Sequence, residues 1–440
     1  MRRTKRLVVS WGLVAFGLFL AFCGGREKTR EPGREELSRI ELLGKKLFFD
    51  SRLSSPEGQS CAFCHGPAAG WTGPLDHINR AGAVYEGAVA GRFGNRKPPS
   101  AAYAGASPVL HYDSEEEVFM GGLFWDGRAT GEELKDPLAE HAMGPFLNPL
   151  EMNNPDKKTV ILKVKNGPYA ALFEEVWGPG SLDAEADVEG SYERIARSIA
   201  AFERSSEVNP FSSKFDAFWR NAQKAGKDVA GIDEKNWEEF RGLGLDEEEV
   251  EGLMLFATKG LCAECHVLTP GPHGEPPLFR DFTYDNLGVP RNQDNPFYTM
   301  PERWNPDGEA WVDKGLGGYL EGDREFSWAA AENIGKQKVP TLRNVDLRPS
   351  PEFVKAYTHN GFFKSLKDVV HFYNTRDTED RPPPEVNEIV DQSLRAISEN
   401  VNTEELGDLE LTEREEDLIV LFMKTLSDGF TRPGKKAPTE

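Results

Sequence analysis

The chain has 440 residues, 38% of them apolar and 28% charged, with 27 Phe and 9 Trp. That length suits two or three domains with buried cores, and the composition excludes a disordered polyampholyte or a polytopic membrane protein. A formal charge of −21 argues against nucleic acid as a partner, which needs a basic footprint; it serves solubility and suits a basic protein partner. The 43 Gly and 30 Pro point to long ordered loops rather than a repeat solenoid.

In chain order, residues 1–6 (MRRTKR) are basic and residues 7–22 (LVVSWGLVAFGLFLAF) apolar. The apolar run is short for a membrane span, so 1–22 reads as a secretory signal peptide. Leu20-Ala21-Phe22-Cys23-Gly24 resembles a bacterial lipobox with Cys23 as the lipidated residue, although Phe22 departs from the small residue favoured there. Residues 23–37 read as a polar tether. The expected location is the bacterial periplasm or cell envelope, with membrane contact only through that N-terminal lipid or signal.

The other four cysteines form two copies of one motif, Cys61-Ala62-Phe63-Cys64-His65 and Cys262-Ala263-Glu264-Cys265-His266. C-x-x-C-H is the attachment signature of c-type haem. Two thiols on one helical turn each add to one haem vinyl group, and the adjacent His65 or His266 falls under the iron as proximal ligand. A zinc site would want the two pairs about 15–20 residues apart; Cys64 and Cys262 are 198 apart. A redox C-x-x-C needs no His, and disulfides across this spacing would be strained. The expected cofactors are two covalently bound haem c.

The motifs sit in a repeated setting. Gly44-Lys45-Lys46-Leu47-Phe48 precedes the first and Gly252-Leu253-Met254-Leu255-Phe256 the second. Downstream, Lys97-Pro98-Pro99-Ser100 is answered by Lys338-Val339-Pro340-Thr341, Trp125-Asp126-Gly127-Arg128 by His359-Asn360-Gly361-Phe362, and Leu134-Lys135-Asp136 by Leu366-Lys367-Asp368. This predicts two tandem cytochrome c-like haem domains derived from one unit, 38–225 and 250–429, with a linker at 226–249 and a tail at 430–440. Helical periodicity is expected at 192–203, 364–373 and 411–426, strand signals are scarce, and 267–335 is a long Pro/Gly-rich insertion. The fold class is mainly α. Within the repeat, His141 lies seven residues after Leu134 and Tyr373 seven after Leu366. Both types can ligate haem iron, so these equivalent positions are the candidates for the distal sides, with ordinary half-buried aromatics as the plainer alternative.

Over nearly the whole mature chain the sequence resembles the bacterial dihaem cytochrome c peroxidase/MauG superfamily. The resemblance is carried by Leu47-Phe48-Phe49-Asp50-Ser51-Arg52-Leu53-Ser54 with the first haem motif, by Phe124-Trp125-Asp126-Gly127-Arg128-Ala129, and by Gly144-Pro145-Phe146-Leu147-Asn148-Pro149-Leu150-Glu151-Met152. It continues in Leu287-Gly288-Val289-Pro290, Val339-Pro340-Thr341-Leu342-Arg343-Asn344-Val345 and Val369-Val370-His371-Phe372-Tyr373-Asn374. It implies a peroxide-reacting first haem on His65 and a low-spin, electron-handling second haem on His266. Trp125 would carry charge between them. Glu151 would be the distal carboxylate that moves a proton between peroxide oxygens, and Pro145 would limit access above the iron.

Two departures from the best-known members stand out. The second haem's distal position holds Tyr373 rather than Met, as in the MauG-like branch; a phenolate lowers the haem potential where a thioether raises it. Met300 is the fallback ligand. The His of reductively activated peroxidases would fall at Val89, and the nearest preceding His is His77, twelve residues earlier, so the first haem is expected to be open without activation. His141 stands where relatives resemble a distal Gln; it could serve as acid/base or bind the iron. The family's inter-domain calcium uses an Asn where this chain has Lys97, which disfavours calcium. His111, His273, His359 and His371 are read as structural or supporting. The expected function is a peroxidase-type oxidoreductase. It would use hydrogen peroxide and take electrons from a redox protein, such as a small c-type cytochrome, or from an oxidisable protein substrate. A dihaem electron-transfer cytochrome is the alternative.

Overall fold

The computed structural model describes residues 36–378 and 400–431. The signal peptide, Cys23, most of the tether and nearly all of the tail lie outside the described residues. Helices begin where the sequence supplies side-chain oxygens for orphan N–H groups. Ser38 with Glu41 caps α1 (Arg39–Phe48). The short α2 (Cys61–Cys64) and α3 (Asp76–Arg80) follow. Asp136 caps α4 (Pro137–Leu147), Asp156 caps α5 (Lys157–Lys165), and α6 is Ala170–Trp177. Asp187 caps α7 (Val188–Glu203), Ser213 with Asp216 caps α8 (Lys214–Lys224), and Asp246 with Glu249 caps α9 (Glu247–Ala257). The short α10 (Gly315–Leu320) lies in the insertion. Ser365 caps α11 (Leu366–Thr375), and Thr412 with Glu415 caps α12 (Glu413–Lys424).

The fold is mainly helical, as the periodicity predicts. Two antiparallel ribbons interrupt it among the described residues: β1 (His111–Asp113) with β2 (Val118–Met120), and β3 (Tyr284–Asp285) with β4 (Gln337–Lys338). None of the described helices is long and apolar enough to cross a membrane.

The internal repeat reappears as geometry. α1 lies on α7, and α9 on α12. Each pair crosses at a glycine: a Cβ at Gly44 would sit 1.8 Å from the Ser198 carbonyl oxygen, and one at Gly252 would sit 2.0 Å from that of Leu418. Only glycine permits such backbone approach. The bridges Leu123↔Ala129 and Tyr357↔Phe363 close two equivalent loops, so Trp125 and His359 are repeat partners.

Two apolar cores accompany the repeat. One gathers residues from Leu43 to Val208 with Leu278; the other runs from Phe215 to Leu426. Here the structure adds what the sequence did not show. α8 packs Phe215, Phe218 and Trp219 into the second core, not the first. The segment 226–249, expected as a linker, contributes Val229, Ile232, Phe240 and Leu245 to that core. Its acidic composition hid four apolar residues spaced to reach inward, and their burial outweighs the solubility of their neighbours. The insertion is also packed: Leu316, Leu320, Ala329 and Ala330 join Leu110, Phe119 and Tyr284 in a smaller cluster.

Candidate haem sites and their seam

In both haem motifs the backbone does the same thing. Residues 61–64 form one helical turn closed by the His65 N–H donating to the Cys61 carbonyl (2.9 Å). Residues 262–264 form a tighter turn closed by the His266 N–H donating to the Cys262 carbonyl (2.9 Å). Each turn brings two thiols and an imidazole to the wall of a cavity.

The first cavity, with its opening to solvent, spans about 980 Å³ and is lined by Cys61, Cys64, His65, Trp125, His141, Pro145 and Glu151, among others. The second, with its opening, spans about 1510 Å³, with Cys262, Cys265, His266, Tyr373 and again Trp125 in its wall. Apart from Met300, every site residue named from the sequence within the described chain thus lines one cavity or both. Met300, the fallback ligand, is buried but lines neither. His65 and His141 are the histidines lining the first cavity; His77 is exposed on α3.

The donor chemistry fits covalent haem. All four cysteines are unpaired. Burial pushes the thiols of Cys61 and Cys262 up to about 12, and those of Cys64 and Cys265 also upward. They are therefore neutral, and thioether formation removes the remaining titration. The ring nitrogen Nδ1 of His65 donates to the Pro99 carbonyl (3.0 Å), and that of His266 to the Phe279 carbonyl (2.8 Å). This fixes the tautomer and leaves Nε2 as the metal-binding lone pair. Burial pushes both imidazoles down to about 4, which keeps them neutral.

On the other side of the first cavity, α4 presents His141 and Pro145. The chain turns back after Leu147, with the Met152 N–H donating to the Pro145 carbonyl (3.1 Å) and the Ala88 N–H to the Glu151 carbonyl (2.7 Å). The Glu151 carboxylate accepts from Asn148 Nδ2 (3.0 Å). Burial raises its pKa, partly offset by Arg128 and by that hydrogen bond. The shift favours the protonated form more than water does for a free Glu. Burial, with His65 and Arg128 nearby, pushes His141 down to about 3. In the second cavity α11 presents Tyr373, whose pKa burial raises well above that of a free phenol; its hydroxyl makes no hydrogen bond among the described residues.

Trp125 is buried at the seam between the cavities. Its Nε1–H donates to the Lys97 carbonyl (2.8 Å), its own carbonyl accepts from the Lys338 N–H (2.8 Å), and its ring lies 6.3 Å from that of His359. The flanks are held by a buried charge cluster. Arg96 donates to Asp126 (2.5 Å) and with two nitrogens to Asp313 (2.5 and 2.6 Å). Burial raises both carboxyls, but Arg96, joined at Asp126 by Arg128, more than offsets it, and both lie below the usual carboxylate range.

Calcium does not fit this seam. The buried Lys97 ammonium donates to Thr72 Oγ1 (3.0 Å) and the Pro98 carbonyl (3.1 Å). The Lys355 ammonium takes the carbonyls of Ala69, Asn344 and Leu347, each at 2.9 Å. Ammonium groups already occupy the oxygens that a divalent cation would need.

Sequence reasoning missed three features. Arg96 and Asp313 are 217 residues apart, with no local signal. Phe124 stacks on His141 at 4.1 Å between ring centres, with the Arg128 guanidinium 3.7 Å from the Phe124 ring centre. Glu203, at the end of α7, lines the first cavity; burial pushes it up to about 8, and its Oε2 has no partner among the described residues. The signal for Glu203 was present: it lies four residues after the buried Ile199, on the helix's apolar face.

Two C-x-x-C-H turns, each facing its own cavity, with a tryptophan shared between the cavities, define a dihaem c-type protein. The family model for di-haem cytochrome c peroxidase matches residues 38–224. The methylamine utilization protein MauG of Paracoccus denitrificans is 33% identical over 413 residues, 92% of each chain. The cytochrome c551 peroxidase of Nitrosomonas europaea is 28% identical over 74% of this chain and 70% of its own. The crystal structure of the diheme peroxidase BthA from Burkholderia thailandensis superposes with a TM-score of 0.69 at 29% identity, covering 89% of this chain and 86% of that one. The chain belongs to the di-haem cytochrome c peroxidase family. It is a peroxidase-type oxidoreductase with two covalently bound c-type haems.

Proposed function

We propose a MauG-like division of labour. Hydrogen peroxide is reduced at the first site, held by Cys61, Cys64 and His65. Electrons arrive through the second, held by Cys262, Cys265, His266 and Tyr373, and cross by way of Trp125. When bound, the haems supply the redox chemistry; the side chains supply position and protons. Reduction of peroxide takes two electrons and two protons and yields two waters. Glu151 takes a proton from one peroxide oxygen and returns it to the other, so that the departing oxygen leaves as water. Pro145 narrows the approach above the first site, and Trp125 is held in place by its hydrogen bond to the Lys97 carbonyl. The observation that carries this reading is that Trp125 forms part of both cavity walls.

The electron source is a small c-type cytochrome or an oxidisable protein, and the charge of −21 suits a basic surface on it. Export through residues 1–22, lipidation at Cys23 and a periplasmic site complete the reading. The two haem domains divide near Ser213, ahead of α8, rather than at 225. A second reading, an electron-transfer cytochrome without peroxide chemistry, is favoured by one observation: His141 stands close to His65.

The test mixes fully ferric holoprotein with stoichiometric peroxide while both haem spectra are recorded. The expected outcome is a change at both haems, with Trp125→Phe confining the change to the first and slowing the second at least about tenfold, a barrier increase of about 1.4 kcal/mol. A second haem that responds equally fast in Trp125→Phe removes the tryptophan from the route. No response from ferric or half-reduced protein favours the carrier.

A further inference from the structure

His141 lines the first cavity, and the peroxide reading gives it no fixed task. Its ring centre lies 6.4 Å from that of His65, with the planes inclined at 75°. An imidazole built of bonds near 1.33 Å has its centre about 1.1 Å from each ring nitrogen. Metal–imidazole bonds run about 2.0–2.1 Å. Two imidazoles in line on opposite sides of one metal therefore have centres about 6.3 Å apart. An imidazole that instead hydrogen-bonds, in line, to an oxygen held by that metal would sit about 9 Å from the first. The separation found here matches the former.

We propose that His141 is the resting sixth ligand of the first haem iron, opposite His65, and that it is a removable one. The proposal rests on the reading of the first cavity as the peroxide site, and it adds a gate to that site.

The two imidazoles are held differently. His65 is fixed by its hydrogen bond to the Pro99 carbonyl. Among the described residues no hydrogen bond reaches either ring nitrogen of His141; it is aimed by packing, with the Phe124 ring 4.1 Å away. A ligating histidine is strengthened when its second nitrogen donates to an oxygen, which fixes the ring and raises its basicity. His65 has that support and His141 lacks it, so His141 is the weaker of the pair.

The helix beneath His141 is built to yield. Pro145 sits inside α4, four residues on, with Gly144 before it. Pro145 has no N–H to offer the His141 carbonyl, and glycine costs helical stability, so this turn is softer than the rest of α4. The repeat supports the assignment. Tyr373 occupies the equivalent position on α11 and faces the second cavity. Opening breaks the iron–nitrogen bond, and the electron pair stays on the imidazole. The freed coordination position takes peroxide, and no electron or proton is consumed in the exchange.

The test needs no variant to begin. Ferric holoprotein is examined by electron paramagnetic resonance and near-infrared magnetic circular dichroism. The expected result is two low-spin haems, the first with a bis-imidazole signature. In His141→Gln the first haem becomes high-spin while the second haem's signal is unchanged, which also reports an intact fold. In His141→Ala, added imidazole restores the low-spin signal. The second-order rate with peroxide rises at least tenfold in His141→Gln, because no ligand has to leave.

A high-spin first haem in the unaltered protein overturns the proposal, and so does a low-spin first haem that persists in His141→Gln. A high-spin first haem that reacts with peroxide in the unaltered protein overturns the gate and leaves the peroxidase reading standing. A high-spin His141→Gln protein that is silent to peroxide upholds the ligation and overturns the peroxidase reading.

Discussion

The two cavities are built from one plan and finished differently. Each has a one-turn C-x-x-C-H, a histidine pinned through Nδ1 to a backbone carbonyl, a Gly-crossed helix pair and a helix presenting a candidate distal ligand. The first cavity adds an exchangeable acid, Glu151, and a helix weakened by Pro145. The second differs in both: α11 has no internal proline, and the acids in its wall, Asp285 and Glu405, gather beside Cys265 rather than on a turn after the distal helix. A shared scaffold thus separates the site that must admit a small molecule from the site that only passes electrons. The difference lies in a handful of side chains on the distal helix and the turn after it.

The largest effect should come from removing the shared feature on one side only. Cys262→Ala with Cys265→Ala should abolish covalent haem at the second cavity and leave one haem per chain by mass and by haemochrome absorbance. Retention of two would show that the motifs are not the attachment points. Next is the acid on the turn after the first cavity's distal helix. Glu151→Gln should slow the peroxide reaction by about 10²–10⁴-fold with both haems still bound. A wild-type rate would remove the chemical difference drawn between the sites.

The seam that joins the two halves comes third. Arg96→Met leaves Asp313 buried without its guanidinium and Asp126 with Arg128 alone (2.8 Å), and should cost about 3–5 kcal/mol. Both carboxyls are held below their unfolded values, so their contribution is present above the unfolded pKa of about 3.9 and is lost as pH falls through the folded values. In the variant, acid instead relieves two buried carboxylates that have lost their shared cation. The gap in melting temperature between wild type and Arg96→Met should therefore be wide at neutral pH and narrow toward pH 4; a gap that widens on acidification would contradict the pairing. The smallest effect is a tuning one. Tyr373→Met should raise the second haem's reduction potential, within the roughly 0.8 V range that axial ligands span, and leave the first unchanged. Spectroelectrochemistry on the two haems checks it, and an unaltered potential would take Tyr373 off the iron.

Some of this was legible before any coordinates. The haem turns were, because attachment needs two thiols and an imidazole within one helical turn, and so within five consecutive residues. His141 and Tyr373 emerged by laying the repeat on itself, since both halves keep the same spacing from an Leu-Lys-Asp helix start. The membership of α8 was not legible. Its amphipathic pattern says that Phe215, Phe218 and Trp219 must be buried, but not in which core. The packing of segment 226–249 was not legible either, because charge dominates its composition, whereas four apolar side chains decide its position.

By itself, then, the sequence determined the cofactor chemistry, the helical class and the twofold plan, because these depend on residues a turn or a helix apart. Tertiary structure alone decided that one tryptophan serves both cavities, that Arg96 bridges to Asp313, and that lysine ammoniums occupy the oxygens a calcium ion would need. It also decided that His141 faces His65 at 6.4 Å. Those are contacts between residues tens to hundreds of positions apart. Their geometry is set by how two cores pack against a common seam, which no local pattern encodes.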